Sequence, residues 1–232
     1  MTVFADYELS YFFGALLFSA VWLALFVFDR RHRQQILWGS AFSAPFALTG
    51  FLFMPEYWTP PSLFDLDARI GIGIEDILWS AAVGGIASAV VEIAFASRLA
   101  PLRKRGGNPH RWAPLIIVAT GIVLLELFFP DKSIYNMIVA FSLGFVSLLT
   151  VRRDLWFHGI RGGVIFAAVY MLLFVWFLSF YPEFVDRYYT HSNLWRTYWL
   201  GVPAEEFLFA ISGGALWTVM FEYYHGLKFV QA

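Results

Sequence analysis

The sequence contains no cysteine and very little charge. Without cysteine the chain cannot form a disulfide, a thiolate nucleophile or an iron–sulfur cluster. Asp, Glu, Lys and Arg make up 14% of its 232 residues, whereas a typical soluble domain has about a quarter. A surface with so few charges cannot face water on all sides, which excludes the soluble globular, disordered and collagen-like classes. The net charge of −1 leaves no basic surface for a nucleic acid.

Lysine, histidine and glycine occur at positions that argue against three further kinds of site. The lysines lie in predicted loops or in the tail, so no lysine can hold a retinal inside a helix. The five histidines lack the spacing of a metal site. The Gly-Ile-Gly motif at 71–73 lacks the third glycine of a dinucleotide fingerprint. We therefore expect neither a metal nor a cofactor. Residues 1–10 contain no basic residue, so a cleavable signal peptide is not expected either.

What the sequence has in excess is apolar and aromatic residues. They make up 59% and 20% of the chain, and the mean hydropathy is +0.64. A bilayer core of about 30 Å requires roughly 20 apolar residues per helix, so the chain predicts an all-α membrane protein with seven transmembrane helices in one domain, 1–232. The predicted spans are 9–28, 36–53, 72–97, 112–129, 134–151, 162–180 and 198–224.

The basic residues predict the orientation of these spans. Twelve of the 16 lie in loops 29–35, 98–111 and 152–161 or in the tail, and the other four lie in the alternate loops. Because cytoplasmic loops carry the excess of Lys and Arg, we expect the N-terminus outside and the C-terminus in the cytoplasm, in a prokaryotic plasma membrane. Most of the Trp and Tyr residues near the predicted helix ends are assigned to interfacial belts. The residues considered are Tyr57, Trp58, Trp112, Tyr181, Tyr188, Tyr189, Trp195 and Tyr198.

An internal repeat is visible in the acidic and glycine residues. Each half has an adjacent acidic pair, then a Gly-Gly pair, then a further Glu, and both acidic features recur with an offset of 130. The matching features are Glu75-Asp76 with Glu205-Glu206, Gly84-Gly85 with Gly213-Gly214, and Glu92 with Glu222. The pattern predicts two parallel three-helix repeats, helices 1–3 at about 7–97 and helices 5–7 at about 134–226. Helix 4, at about 112–129, joins them.

The acidic pairs are the candidate catalytic residues. An ionisable side chain inside a span costs about 2.5–3.5 kcal/mol on insertion scales and is a functional hypothesis by default. Pro203 suits the first position of a helix, which would place Glu205 and Glu206 in the first turn, where free N–H groups favour a carboxylate. Glu75 and Asp76 repeat the arrangement in the first half. The alternative is that both pairs dip into the headgroup region.

Other acids and aromatic residues either have a predicted supporting role or have two alternative roles. Glu126 either joins the acidic cluster or extends to the interface, and Glu92 and Glu222 are expected to pair with Arg98 or His225. Trp79, Phe207 and Phe209 lie near the acids in sequence. They either pack as ordinary core residues or line a cavity where their π-faces stabilise a cation; with Pro203 they are the supporting candidates.

The motif formed by Pro203, Glu205 and Glu206 resembles that of the small integral-membrane lycopene cyclases, which occur as two three-helix subunits or as one fused chain. In the first half the counterpart is Glu75-Asp76, without the proline. The resemblance implies a redox-neutral reaction on an apolar carotenoid or other isoprenoid substrate surrounded by membrane lipid. A carboxylic acid protonates the terminal double bond of a linear carotenoid, a neighbouring double bond closes a six-membered ring, and a carboxylate removes a proton.

Two other functions are compatible with the sequence. Broken helices and paired acids near a repeat interface are also typical of a transporter or proton-coupled carrier. Against this, the chain is short, the repeats are parallel and no polar residues line a path across the membrane. A non-catalytic carotenoid- or lipid-binding protein is the third hypothesis. The sequence gives no indication of the oligomeric state.

Overall fold

The computed structural model describes residues 7–102 and 110–230. Arg103, Lys104 and Arg105, which contribute to the predicted orientation, lie outside the described residues. Residues 1–6 also lie outside the described residues. They make up most of the segment 1–10, for which no signal peptide was expected.

The described chain is built from ten α-helices and four short strands. The helices are α1 Ser10–Phe28, α2 Arg33–Ser43, α3 Gly50–Phe53, α4 Leu66–Ile70, α5 Ile74–Phe95, α6 Ala113–Phe128, α7 Ser133–Val151, α8 Trp156–Phe180, α9 Phe184–Tyr188 and α10 Ala204–His225. The strands are β1 Arg98–Pro101, β2 Tyr198–Trp199, β3 Val202–Pro203 and β4 Leu227–Val230. A 3₁₀ segment, Ala44–Thr49, joins α2 to α3; Pro45 lies in its first turn, where the missing proline N–H and fixed φ interrupt the α-helix.

Six helical segments in the described part of the chain are long and apolar enough to cross a membrane, as an all-α membrane protein requires. They are Ser10–Phe28, Arg33–Phe53, Ile74–Phe95, Ser133–Val151, Arg153–Phe180 and Ala204–His225. The remaining predicted span is α6, which has 16 residues and is about 24 Å long at about 1.5 Å per residue. Pro130 disfavours helical conformation at Phe129 and so ends α6 early. Six of the seven predicted spans therefore meet this criterion, and the seventh span and the orientation stay predictions.

Helices α5 and α10 form the centre of the bundle and pack against each other. Each has 22 residues. Helix α10 begins 130 positions after α5 begins and ends 130 positions after α5 ends. Around them, α1, α2 and α8 contact α5, and α7 and α8 contact α10. Glycine allows the helices to approach each other closely. For example, a Cβ added to Gly214 of α10 would lie only 2.9 Å from Cβ of Phe166 on α8. Helix α6 packs mainly against α7 at the rim, with exposed apolar side chains such as Leu127.

Helices α5 and α10 begin at the same end of the bundle, which we call the loop end and define by residues 54–73 and 181–203. The predicted last span was wrong at its start, because β2 and β3 form a small antiparallel hairpin before α10. Pro203 ends that hairpin and is the N-cap, so it precedes the first helical residue, Ala204. At the opposite end, β1 pairs antiparallel with β4. The sequence predicted neither of these strand pairs.

Candidate active site

The four predicted acids lie in the first turns of the two central helices, inside the protein. Glu75 and Glu205 are fully buried, and Asp76 and Glu206 are 7% and 5% exposed. Free N–H groups at a helix start favour a carboxylate, and the N–H of the N-cap Gly73 donates to Asp76 Oδ2 at 2.8 Å. All four side chains are thus shielded by the protein itself, and their depth in the membrane stays a prediction.

Within each pair, the first acid is directed at the loop that precedes its helix. Oε1 of Glu75 accepts a hydrogen bond from the N–H of Leu63 at 2.6 Å. Oε1 of Glu205 accepts one from the N–H of Trp195 at 2.6 Å and another from the hydroxyl of Tyr135 at 2.7 Å. In both residues Oε2 is buried without a hydrogen-bond partner among the described residues. These two carboxylates therefore hold the loops against α5 and α10.

The second acid of each pair, Asp76 and Glu206, lines a cavity that the two share. The hydroxyl of Tyr11 on α1 donates to Asp76 Oδ1 at 2.6 Å. Glu206 accepts hydrogen bonds from three buried tyrosine hydroxyls. Its donors are Tyr57 at 2.8 Å and Tyr189 at 2.9 Å on Oε1, and Tyr170 at 2.6 Å on Oε2. The site thus presents one carboxyl from each central helix, with different hydrogen-bond environments.

The cavity and the open space at its mouth together amount to about 950 Å³, and the walls are mainly aromatic. Trp79 of α5 and Phe209 of α10 are part of the wall, with ring centroids 6.0 Å apart and planes inclined by 21°. A second, smaller cavity shares five lining residues with the first and extends between the helices. The shared residues are Phe46, Trp79, Ser80, Phe141 and Phe209. Together they form an apolar space that begins at the two acids.

Two of the supporting candidates lie elsewhere. The ring of Phe207 packs against Trp199 in β2, with centroids 4.8 Å apart, and does not line either cavity. Oε1 of Glu126 on α6 accepts a hydrogen bond from Nδ2 of Asn136 on α7 at 3.0 Å, away from the acidic pairs. Pro203 acts at the start of α10 as the N-cap. The cavity therefore brings together Asp76, Glu206, Trp79 and Phe209 out of the predicted set.

The tyrosine donors are the part of the site that the sequence did not reveal. Tyr57 and Tyr189 were assigned to an interfacial belt; this was wrong, because they are only 2% and 6% exposed and bind Glu206. The sequence could have indicated Tyr170, because a hydroxyl in the middle of the apolar run 163–180 requires a polar partner. Nothing in the sequence around Tyr11 indicates that its hydroxyl binds an acid.

Glu92 and Glu222 form a second buried group, near the opposite ends of α5 and α10. Nε2 of Gln35 is 3.0 Å from Oε1 of Glu92 and 2.9 Å from Oε1 of Glu222, and all three residues are at most 2% exposed. The expected pairing with Arg98 or His225 was wrong: within 7–102 and 110–230, neither glutamate forms an ion pair. The two glutamates instead accept hydrogen bonds from the side-chain amide of Gln35 on α2.

Among the residues that the structure describes, no three His, Asp or Glu side chains are grouped so as to hold a metal ion. The expectation of a site without metal or cofactor stays a prediction. The chemistry that the visible groups can perform is proton donation and proton removal, at two carboxyls inside one apolar cavity.

Comparison with known proteins finds a similarity to a family in the second half of the chain. Residues 132–224 match the family model described as Lycopene cyclase. The match is shorter than half of the chain, and it includes Tyr170, Tyr189 and the Glu205-Glu206 pair but not Glu75-Asp76. No curated protein and no solved structure matches significantly. Over residues 132–224, the chain is therefore similar to the lycopene cyclase family.

Proposed function

We propose that this protein is a carotenoid cyclase that closes a ring at the end of a linear, lycopene-type polyene within the membrane. The observation that carries the proposal is that Asp76 of α5 and Glu206 of α10 line one cavity with aromatic walls. The similarity of residues 132–224 to the lycopene cyclase family supports a carotenoid as the substrate. The enzyme class is an intramolecular lyase or isomerase.

The proposed reaction requires one acid and one base. The acid adds a proton to the terminal carbon–carbon double bond, which leaves a tertiary carbocation. A neighbouring double bond attacks this cation, forms the new bond of a six-membered ring and moves the positive charge onto a ring carbon. The base then removes a proton from an adjacent carbon and a new double bond forms. The product has the same atoms as the substrate, so the reaction needs neither an oxidant nor a reductant.

The hydrogen bonds support a division of roles between the two carboxyls. Three hydroxyl donors point at Glu206, and such an arrangement suits an ionised carboxylate, which is an acceptor only. We therefore assign Glu206 as the base, whose charge also faces the developing cation. Asp76 receives one hydroxyl and one backbone N–H, and we assign it as the acid.

The walls of the cavity suit a carbocation. The faces of Trp79 and Phe209 provide negative π-density at the position where the positive charge forms. The apolar lining also excludes water, which would otherwise trap the cation as an alcohol. One end group fits the cavity beside the acids, and the rest of the polyene extends through the second cavity toward the lipid, from which the substrate enters. In the proposed orientation, the loop end faces the outside of a prokaryotic plasma membrane.

The test is expression in a bacterial host that accumulates lycopene, with chromatography of the pigments. Wild type is compared with Glu206→Gln and Asp76→Asn, which keep the shape of each side chain but remove its acid–base function. Glu183→Gln is the matched control, because Glu183 is exposed and pairs with Arg187 at the surface. We expect monocyclic or bicyclic product with wild type and the control, and lycopene alone with both site variants.

Unchanged lycopene in cells that contain folded wild-type protein in the membrane would contradict the proposal. Lycopene that copurifies with the protein without conversion would instead favour a binding role. A carrier would lose coupled flux in the Glu206→Gln variant while the pigment stayed linear in every strain.

A further inference from the structure

Asp67 is a carboxylate near the site to which the proposed reaction gives no role. It lies on the short helix α4, and both of its carboxyl oxygens are buried without a hydrogen-bond partner among the described residues. The two other charged residues of this segment point away: Asp65 and Arg69 are 79% and 68% exposed and lie 4.0 Å apart. Asp67 thus turns inward from a segment whose other charges face out.

The groups near Asp67 are two acids, one tyrosine and Ser62, whose hydroxyl accepts a hydrogen bond from the N–H of Asp67 at 3.0 Å. A Cβ on Gly73 would lie 2.8 Å from Oδ1 of Asp67 and 2.6 Å from Oε2 of Glu75, while the N–H of Gly73 bonds Asp76. From α1, Tyr11 interacts electrostatically with all three carboxyls. Asp67 takes part in none of the ion pairs within the described residues.

The carboxyls of Asp67 and Asp76 both lie against Gly73, whose N–H donates to Oδ2 of Asp76 at 2.8 Å and whose Cβ position is 2.8 Å from Oδ1 of Asp67, and the two acids interact electrostatically. Because an ionised carboxylate has no hydrogen to donate, two carboxyls bond each other only when one of them carries a proton. The hydroxyl of Ser62 lowers the pKa of Asp67, but burial and Asp76 raise it more strongly, which agrees with such a shared proton. The pair therefore holds a proton next to the residue that needs one as an acid.

We propose that Asp67 restores the proton on Asp76 after each ring closure. This inference rests on the proposed function. Asp76 gives its proton to the polyene; the O–H bond of Asp67 breaks and a new O–H bond forms on Asp76; Asp67 then takes a proton from water at the loop end. Glu206 returns to water the proton that it removed from the ring, so the cycle consumes no net proton.

The two halves differ at this position, which agrees with the division of roles. The residue 130 positions after Asp67 is Thr197, which cannot exchange a proton near neutral pH. A proton reservoir therefore accompanies Asp76 and has no counterpart beside Glu206 at the equivalent position.

Burial, and next the charge of Asp76, raise the pKa of Asp67 to about 7. The group is protonated below that pH and ionised above it. If its proton resupplies the acid, cyclisation must slow as the pH rises through about 7. The test is the pH profile of turnover by protein in lipid vesicles containing lycopene, for wild type, Asp67→Asn, Asp67→Glu and Asp65→Asn.

We expect Asp67→Asn to lower turnover roughly tenfold or more and to abolish the decline near pH 7. Asp67→Glu should retain both activity and the decline, and Asp65→Asn should match wild type. Wild-type turnover with an unchanged pH profile in Asp67→Asn would overturn this inference and leave the cyclase assignment intact. A wild-type protein that forms no ring at any pH would overturn the cyclase assignment, and this inference with it.

Thermal unfolding separates a proton relay from a structural role. Since folding raises the pKa of Asp67, the folded state binds more protons than the unfolded state between about pH 4 and 7, and the group's contribution to stability is lost as the pH rises through that window. Asn carries no charge, so at pH 8 the Asp67→Asn variant should unfold at the same or a higher temperature than wild type while it turns over more slowly. A lower unfolding temperature together with lost activity would contradict the relay.

Discussion

The hydroxyl of Tyr170 donates a 2.6 Å hydrogen bond to Oε2 of Glu206 in the interior of the bundle. Tyr170 lies on α8, and the two hydroxyls on the other carboxylate oxygen come from the loops at Tyr57 and Tyr189. Three separate segments therefore fix one side chain of α10. Such convergence orients the carboxylate toward the cavity before a substrate arrives, which lowers the reorganisation needed during the reaction.

Tyr170→Phe tests this orientation with the removal of a single oxygen. The variant leaves Oε2 of Glu206 without its tyrosine donor, a loss of about 1–3 kcal/mol for a buried polar atom. We expect the rate of ring formation to fall roughly 10- to 100-fold, measured as initial rates with equal amounts of folded protein. Tyr224→Phe, near the opposite end of α10, is the control and should not change the rate. Equal rates for Tyr170→Phe and wild type would show that the donor does not matter.

The first acids of the two pairs should behave differently from the second. Glu75 and Glu205 bond loop N–H groups and do not line the cavity. A Gln side chain retains the accepting oxygen, so Glu75→Gln and Glu205→Gln should keep most of the turnover per folded molecule, whereas Glu206→Gln should lose it. The measurement is pigment conversion normalised to folded protein. Loss of turnover in a well-folded Glu205→Gln would move the chemistry to that residue.

The sequence was informative wherever a residue is costly in its surroundings. Carboxylates inside apolar runs stand out because burial of a charge is unfavourable, and the four acids at the starts of α5 and α10 were identified on that basis. The apolar runs also predicted the bounds of these two helices to within two residues at both ends of α5 and at the C-terminal end of α10. The repeat itself stays a prediction.

The remaining features depend on how distant segments meet. Tyr57 and Tyr189 lie in loops, and no local pattern shows that those loops cross the start of α10 and bury both hydroxyls against Glu206. Asp67 resembles any surface acid in sequence, and only the path of α4 turns it inward toward Asp76. The β2–β3 hairpin is apolar enough to extend the predicted span, so hydropathy alone could not separate it from α10.

Close packing at Gly214 provides a test of the fold that is independent of the chemistry. A methyl group there would lie 2.9 Å from Cβ of Phe166 and 3.2 Å from Cα of Gly163, both on α8. Because backbone must move to relieve this contact, Gly214→Ala should destabilise the protein by about 1–3 kcal/mol. Gly121→Ala on α6 is the matched control, since its methyl group would meet Cβ of Ala140 at an ordinary 3.5 Å. Equal unfolding midpoints of the two variants in detergent would contradict the packing.

Gln35 provides the last prediction, because its amide nitrogen joins α2 to both central helices. Nε2 has two hydrogens but three acceptors, namely the carbonyl of Ser88 and the carboxyls of Glu92 and Glu222. Gln35→Leu removes the shared donor and leaves two buried carboxyls facing each other, so we expect a loss of about 1–3 kcal/mol in the free energy of unfolding. Adding Glu222→Gln supplies a new amide donor beside Glu92 and removes one acid. The cost of Gln35→Leu should therefore be smaller in the Glu222→Gln background, measured as a double-mutant cycle. Additive costs would mean that Gln35 stabilises the bundle by packing rather than by bonding the two glutamates.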